Sequence, residues 1–117
     1  MAESILQTIR RMIGPSMLSN EFDTDLVVHI NSALFDLCQL GVGPKGGFIV
    51  TGDTETWDDF IGNSPVNLEA VKTFIFLKVK MIFDPPTVGG VLDAYQKMIK
   101  EYEWRLNVMV DPKPFPE

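Results

Sequence analysis

Residues 71–83 read VKTFIFLKVKMIF, and no segment of the chain restricts the fold more. Val71, Ile75, Val79 and Ile82 recur at helical spacing along one side, while Phe74, Leu77 and Met81 recur on nearly the opposite side. A helix apolar around most of its circumference has to be enclosed. Either it is the central core helix, or part of its surface is covered by another subunit, and the pattern alone leaves both open. Ser64-Pro65 predicts its start, a cap followed by proline at the first helical position. Asp84-Pro85-Pro86 predicts its stop after Phe83, because a residue preceding proline is pushed out of the helical region.

The rest of the chain offers partners for that helix. Ile5, Leu6, Ile9, Met12 and Ile13 predict a helix over residues 2–13, with Arg10 and Arg11 in the last turn, where cations suit the dipole, and Gly14-Pro15 beyond it. About three turns cannot hold alone, so this helix must dock. Asp23 reads as the N-cap of a second helix, with Asp25 in its first turn and Leu26, Ile30, Ala33, Leu34, Leu37 and Cys38 on one apolar face. Gly41 supplies the left-handed position that ends it, and Pro44 prevents continuation.

Phe48-Ile49-Val50-Thr51 and residues 54–57 flank Gly52-Asp53, which predicts a small hairpin. Thr56 with Asp59 reads as a capping box opening a short helical turn through Ile61. Over residues 90–110, Val88, Leu92, Tyr95, Ile99, Tyr102, Leu106 and Met109 alternate four and three apart, a seam that packs along another helix, most simply the one ending at Phe83. Glu101 and Arg105 form a favourable pair on its polar side. The closing VDPKPFPE holds three prolines in its last six residues and predicts an extended tail, loose or laid on a neighbour. The expected architecture is therefore mainly α: a small helical domain of about four helices over residues 1–110. It has a short β-hairpin between the second and third main helices and an extended Pro-rich C-terminal tail over residues 111–117.

Composition narrows the function. A hydrophobic content of 45% and a charged content of 22% describe an ordinary globular domain rather than a disordered chain. A formal net charge of −6 opposes a sequence-independent grip on nucleic acid, though not a surface that DNA slides past. One cysteine cannot form an internal disulfide, and no leader-like apolar segment precedes a cleavage site, so a cytosolic product is expected. No apolar run approaches the roughly 20 residues of a membrane span.

The stretch 29–57 imitates several active sites. Gly41-x-Gly43-x-x-Gly46 matches the dinucleotide fingerprint, but here a helix precedes the glycines and an extended run follows, so no helix N-terminus faces a pyrophosphate. His29 and Cys38 lie nine positions apart, half a circle around one helix, and cannot act as a nucleophile–base pair. His29, Ser32 and Asp36 share a polar face that mimics a triad, yet an exposed helix face supplies neither an oxyanion hole nor a dry pocket. Asp53, Glu55, Asp58 and Asp59 miss the alternate spacing of a calcium loop and read as turn and cap residues. No enzymatic activity, cofactor or metal is expected.

Four phrases in order, FDTDLVVHINSALFDLCQLGVGP, TWDDFIG, VKTFIFLKVKMIFDPP and EYEWRLNV, resemble the small head–tail connector proteins of tailed bacteriophages and prophages, in the branch of phages of Gram-positive bacteria. The likeness spans residues 22–110. It implies a helical structural protein of the virion, made in the bacterial host cytoplasm, that assembles as a ring of about twelve copies beneath the portal protein. Such a ring extends the DNA channel, lets DNA pass without specific binding, and gives the next head-completion or tail protein a platform. Thr87-Val88-Gly89-Gly90 departs from the serine-rich cap expected there, and each helical glycine weakens the first turn by about 1 kcal/mol relative to alanine.

A ring needs two different patches per subunit. The candidates are Phe74, Leu77 and Met81 on the second stripe, Trp57 as an aromatic anchor, and Pro112, Pro114 and Phe115 in the tail. Trp104 suits the same role by residue type, with ordinary packing the preferred reading for it. The rival reading is a small cytosolic helical module that binds or regulates one protein.

Overall fold

The computed structural model describes residues 4–14, 23–44, 46–62, 67–83, 87 and 89–110. These form α1 (Ile5–Ile13), α2 (Asp23–Gln39), α3 (Trp57–Ile61), α4 (Leu68–Phe83) and α5 (Gly89–Val110). α4 packs against α1, α2 and α5, which explains its sequence: neighbours cover it on several sides. Val71, Phe74, Ile75, Leu77 and Val79 are all buried within this one chain. The choice left open by the pattern is settled over these residues in favour of a core helix. Ile82, expected in the buried stripe, is instead exposed in the last turn.

The helix ends follow local chemistry. Ser4 caps α1 by accepting from the Gln7 N–H. α2 ends in a Schellman motif: the Val42 N–H reaches the Leu37 carbonyl at 2.9 Å and the Gly41 N–H the Cys38 carbonyl at 3.0 Å. Gly41 takes the required left-handed φ of 94°, and Val42 closes the motif from inside the core. The Thr56 capping box forms as expected, with the Asp59 N–H donating to Thr56 Oγ1 and the Thr56 N–H to Asp59 Oδ2. α4 begins at Leu68, where Asn67 Oδ1 accepts from the Ala70 N–H; Ser64-Pro65, the predicted start, lies outside the described residues, as does the predicted stop at residues 84–86.

Among the described residues there is no hairpin. The only pairing of that kind is an isolated antiparallel bridge between Ser4 and Thr56. Residues 47–50 form no strand, and a side chain takes the place of a partner strand. Asn31 on α2 donates from Nδ2 to the Val50 carbonyl at 3.0 Å and accepts from the Val50 N–H at 2.7 Å. One amide thus satisfies both backbone groups of a buried residue, and no ladder is needed.

The short N-terminal helix docks through several long-range polar contacts, among them an Arg10–Asp53 pair at 3.7 Å. Arg10 clamps Asp23 in a bidentate pair, with Nη2 2.8 Å from each carboxylate oxygen. Asp23, expected as a cap, is the first residue of α2 and spends its carboxylate on that clamp. The Trp57 indole N–H donates to Thr8 Oγ1 at 2.8 Å, and the Ile5 N–H to the Glu55 carbonyl at 3.0 Å. Leu92, Tyr95, Ile99, Tyr102 and Leu106 carry the predicted seam of α5 and are half-buried or buried, with α5 lying along α4. Gly89 and Gly90 are both helical.

Candidate interaction surfaces

The imitations of catalytic sites resolve into structure. Asp36 gives its carboxylate to Lys78 on α4 at 2.8 Å, which removes the acid from the His29–Ser32–Asp36 face. Burial pushes the Cys38 thiol up, against a smaller lowering by the Phe48 backbone, so little thiolate forms. Gly43 has φ 95°, and a Cβ there would lie 2.5 Å from Phe60 Cε1; the glycine makes room for a ring that packs edge-on against Phe48. Glu55 folds back on its own turn, accepting from the Thr51 hydroxyl at 2.6 Å, the Thr51 N–H at 3.0 Å and the Gly52 N–H at 3.3 Å. The Thr51 hydroxyl chiefly, against desolvation and with added backbone donors, holds its carboxyl down to about 2. Among the described residues no three His, Cys, Asp or Glu side chains converge as metal ligands, and no helix is long and apolar enough to cross a membrane.

The residues expected at an interface fall in unexpected places. Phe74 and Leu77 belong to the core, and Met81 is half-buried. Trp57 is buried too, its N–H satisfied by Thr8 and its ring covered by the Lys72 ammonium 5.6 Å from the centroid. Pro112, Pro114 and Phe115 lie outside the described residues. Trp104, read as ordinary packing, is 67% exposed. Burial therefore separates the two tryptophans. Residue type alone could not tell them apart, but Trp104 stands off the heptad seam of its own helix, and that offset was visible in the spacing.

Among the described residues two groups of exposed apolar side chains stand out. The first lies on α2. Leu26, Ile30, Ala33, Leu34 and Leu37 face inward, so Val28 and Phe35, seven residues apart, face outward. Phe35 is 62% and Ile49 68% exposed. Between them runs an open groove of about 770 Å³, floored by Asn31, Cys38 and Phe48 and edged by Gln39, Gly46 and Gly47. A separate, smaller hollow of about 360 Å³ is lined by Val28, Thr51 and Asp53 among others. The Asn31–Val50 bonds fix the loop wall of the groove to its helical wall.

The second surface is a ridge on α5. Trp104 and Val108 are one turn apart and exposed, on the side turned away from the Leu92–Leu106 seam. α4 packs against both α2 and α5, and the Asn107 Nδ2 of α5 donates to the Leu40 carbonyl just beyond α2 at 3.2 Å. Their surroundings differ in charge. Exposed Lys97, Lys100 and Arg105 adjoin Trp104, with Glu101 paired to Arg105 at 2.6 Å. On α2 Asp25 is exposed, and Asp53 in the loop beyond has the Arg10 guanidinium at 3.7 Å.

Exposed apolar surfaces of this kind are suited to contact with another protein. A family model described as phage connector protein matches residues 5–113 of the chain. Comparison with curated proteins and with solved structures yields no match.

Proposed function

The chain belongs to the phage connector protein family, and from that footing we propose that it is a non-enzymatic part of the head–tail junction that assembles as a closed ring of about twelve copies beneath the portal. The ring extends the DNA channel and presents a platform to the next head-completion or tail protein. The family match over residues 5–113 carries this reading. Two unlike apolar surfaces on one subunit support its finer part, because head-to-tail contacts between unlike patches close into rings, whereas a single self-complementary patch stops at a dimer. The net charge of −6 suits a passage from which DNA must depart, since repelled phosphates do not adhere. The protein is made in the host cytoplasm and ends in the virion.

The test is electron microscopy of the protein mixed with the portal of the same phage. A ring of density seated on the portal, coaxial with its channel, is the expected image. A portal left bare at saturating connector overturns the proposal.

A further inference from the structure

We propose that the groove between Phe35 and Ile49 seats the chain's own Pro-rich C-terminal segment, residues 111–117, with Phe115 as the anchoring side chain. The inference concerns a single copy in solution and does not depend on the ring reading.

The end of α5 delivers that segment to the groove. Asn107 Nδ2 donates to the Leu40 carbonyl at 3.2 Å, across 67 positions of sequence. Leu40 directly follows Cys38 and Gln39, which line the groove at the C-terminal end of α2. α5 ends at Val110, so the segment starts within one turn of that attachment. It reads DPKPFPE and lies outside the described residues. At the rise of a proline-rich chain it reaches about 22 Å, whereas the helical wall from Asn31 to Gln39 is about 12 Å long. The segment is long enough to follow the groove from end to end.

Chemistry and tethering select this occupant. Phe35, Phe48 and Ile49 make the groove aromatic and apolar, and none of its described lining residues is charged. The segment carries one large apolar side chain, Phe115, set between Pro114 and Pro116. Prolines have little conformational entropy left to lose, which is why proline-rich segments settle in aromatic-lined grooves. Exposed Gln39 on the rim offers a carboxamide that can donate to backbone carbonyls of the segment. A tether this short raises the local concentration of the segment to the order of millimolar, so a contact too weak to hold two molecules together is populated within one. Any second molecule that uses the groove, a ring neighbour included, has to displace it.

A spin label on the full-length chain tests the seat. Glu117→Cys in a Cys38→Ala background carries a nitroxide, and the amide signals of Gly46, Gly47 and Ile49 are followed by NMR at low concentration. These signals are expected to broaden when the spin label and the isotope label share one molecule. They are expected to stay sharp when spin-labelled chains are mixed with separate isotope-labelled chains. Adding Phe115→Ser should lower the docked fraction about tenfold, the loss of one aromatic anchor, with helical circular dichroism unchanged. Ile49→Asp, whose side chain is mostly in solvent, should release the segment in the same way.

Broadening that survives Phe115→Ser undiminished comes from the tether alone and overturns the proposal, as do sharp signals in the doubly labelled chain. Broadening of equal strength in the mixture puts the segment on another copy and overturns the intramolecular seat. The ring reading is decided separately, by the image of the portal complex.

Discussion

Glu55 shows how much one side chain can organise. Its carboxylate collects the Thr51 hydroxyl and the Thr51 and Gly52 amides, and so ties the turn that ends the groove wall. Its pKa falls from 4.5 to about 2, which means that the folded state favours the charged form. A depressed carboxyl contributes stability that is complete above 4.5 and is lost as the pH falls toward 2. The urea midpoint of the protein should therefore drop more steeply across that window than that of Glu55→Gln. Parallel profiles for the two would show that the carboxylate adds nothing to the fold.

Residues of the same type can hold opposite posts. Phe74 is wholly buried on α4, and Phe74→Ala should cost about 3–5 kcal/mol by cavity formation and lost burial. Trp104 is mostly in solvent, and Trp104→Ala should stay within about 0.5 kcal/mol of the parent. Thermal or urea unfolding of the two variants decides it. Equal losses would mean that α5 presents a different face. Sequence reasoning placed Phe74 at an interface because periodicity reports that a stripe is covered, not by which chain.

At the scale of elements, what could be read in advance was what a few adjacent residues settle. Gly41 ends α2 and Thr56 opens α3 because their partners lie within five positions, and both motifs form as expected. The hairpin failed for the opposite reason. Asn31 and Val50 are 19 residues apart, and no local pattern announces that an asparagine will take the place of a strand. The Arg10–Asp23 clamp and the Trp57–Thr8 bond, 13 and 49 residues apart, were hidden in the same way. The Asn31 substitution has a definite consequence. Asn31→Ala leaves both backbone groups of buried Val50 unpaired and should cost about 1–3 kcal/mol. Asn31→Asp keeps the acceptor for the Val50 N–H, loses the donor to its carbonyl, and should fall between. Hydrogen exchange at the Val50 amide reads the effect directly, and unchanged protection in Asn31→Ala would remove Asn31 from its role.

For the whole molecule, one helix does the enclosing and two do the presenting. α4 is spent on the core, which leaves the outer faces of α2 and α5 free to carry Phe35 and Trp104. Exposed apolar side chains do exist, but chiefly on those two helices, with Ile82 the exposed member of the α4 stripes. That distribution follows from packing. A central helix can be apolar all round and fully hidden, whereas a flanking helix has an outer side that no neighbouring helix covers. The family was legible from four phrases because their order and register span the chain, and the match over residues 5–113 agrees with them. The central claim is that copies of this chain close on one another around the portal axis. The mass of the connector–portal complex under native conditions tests it most directly. The account predicts a single saturated species with one connector per portal subunit and no populated half-filled states, because closing the ring adds a contact that the open arc lacks. A complex that fills one copy at a time, with independent sites, would contradict it.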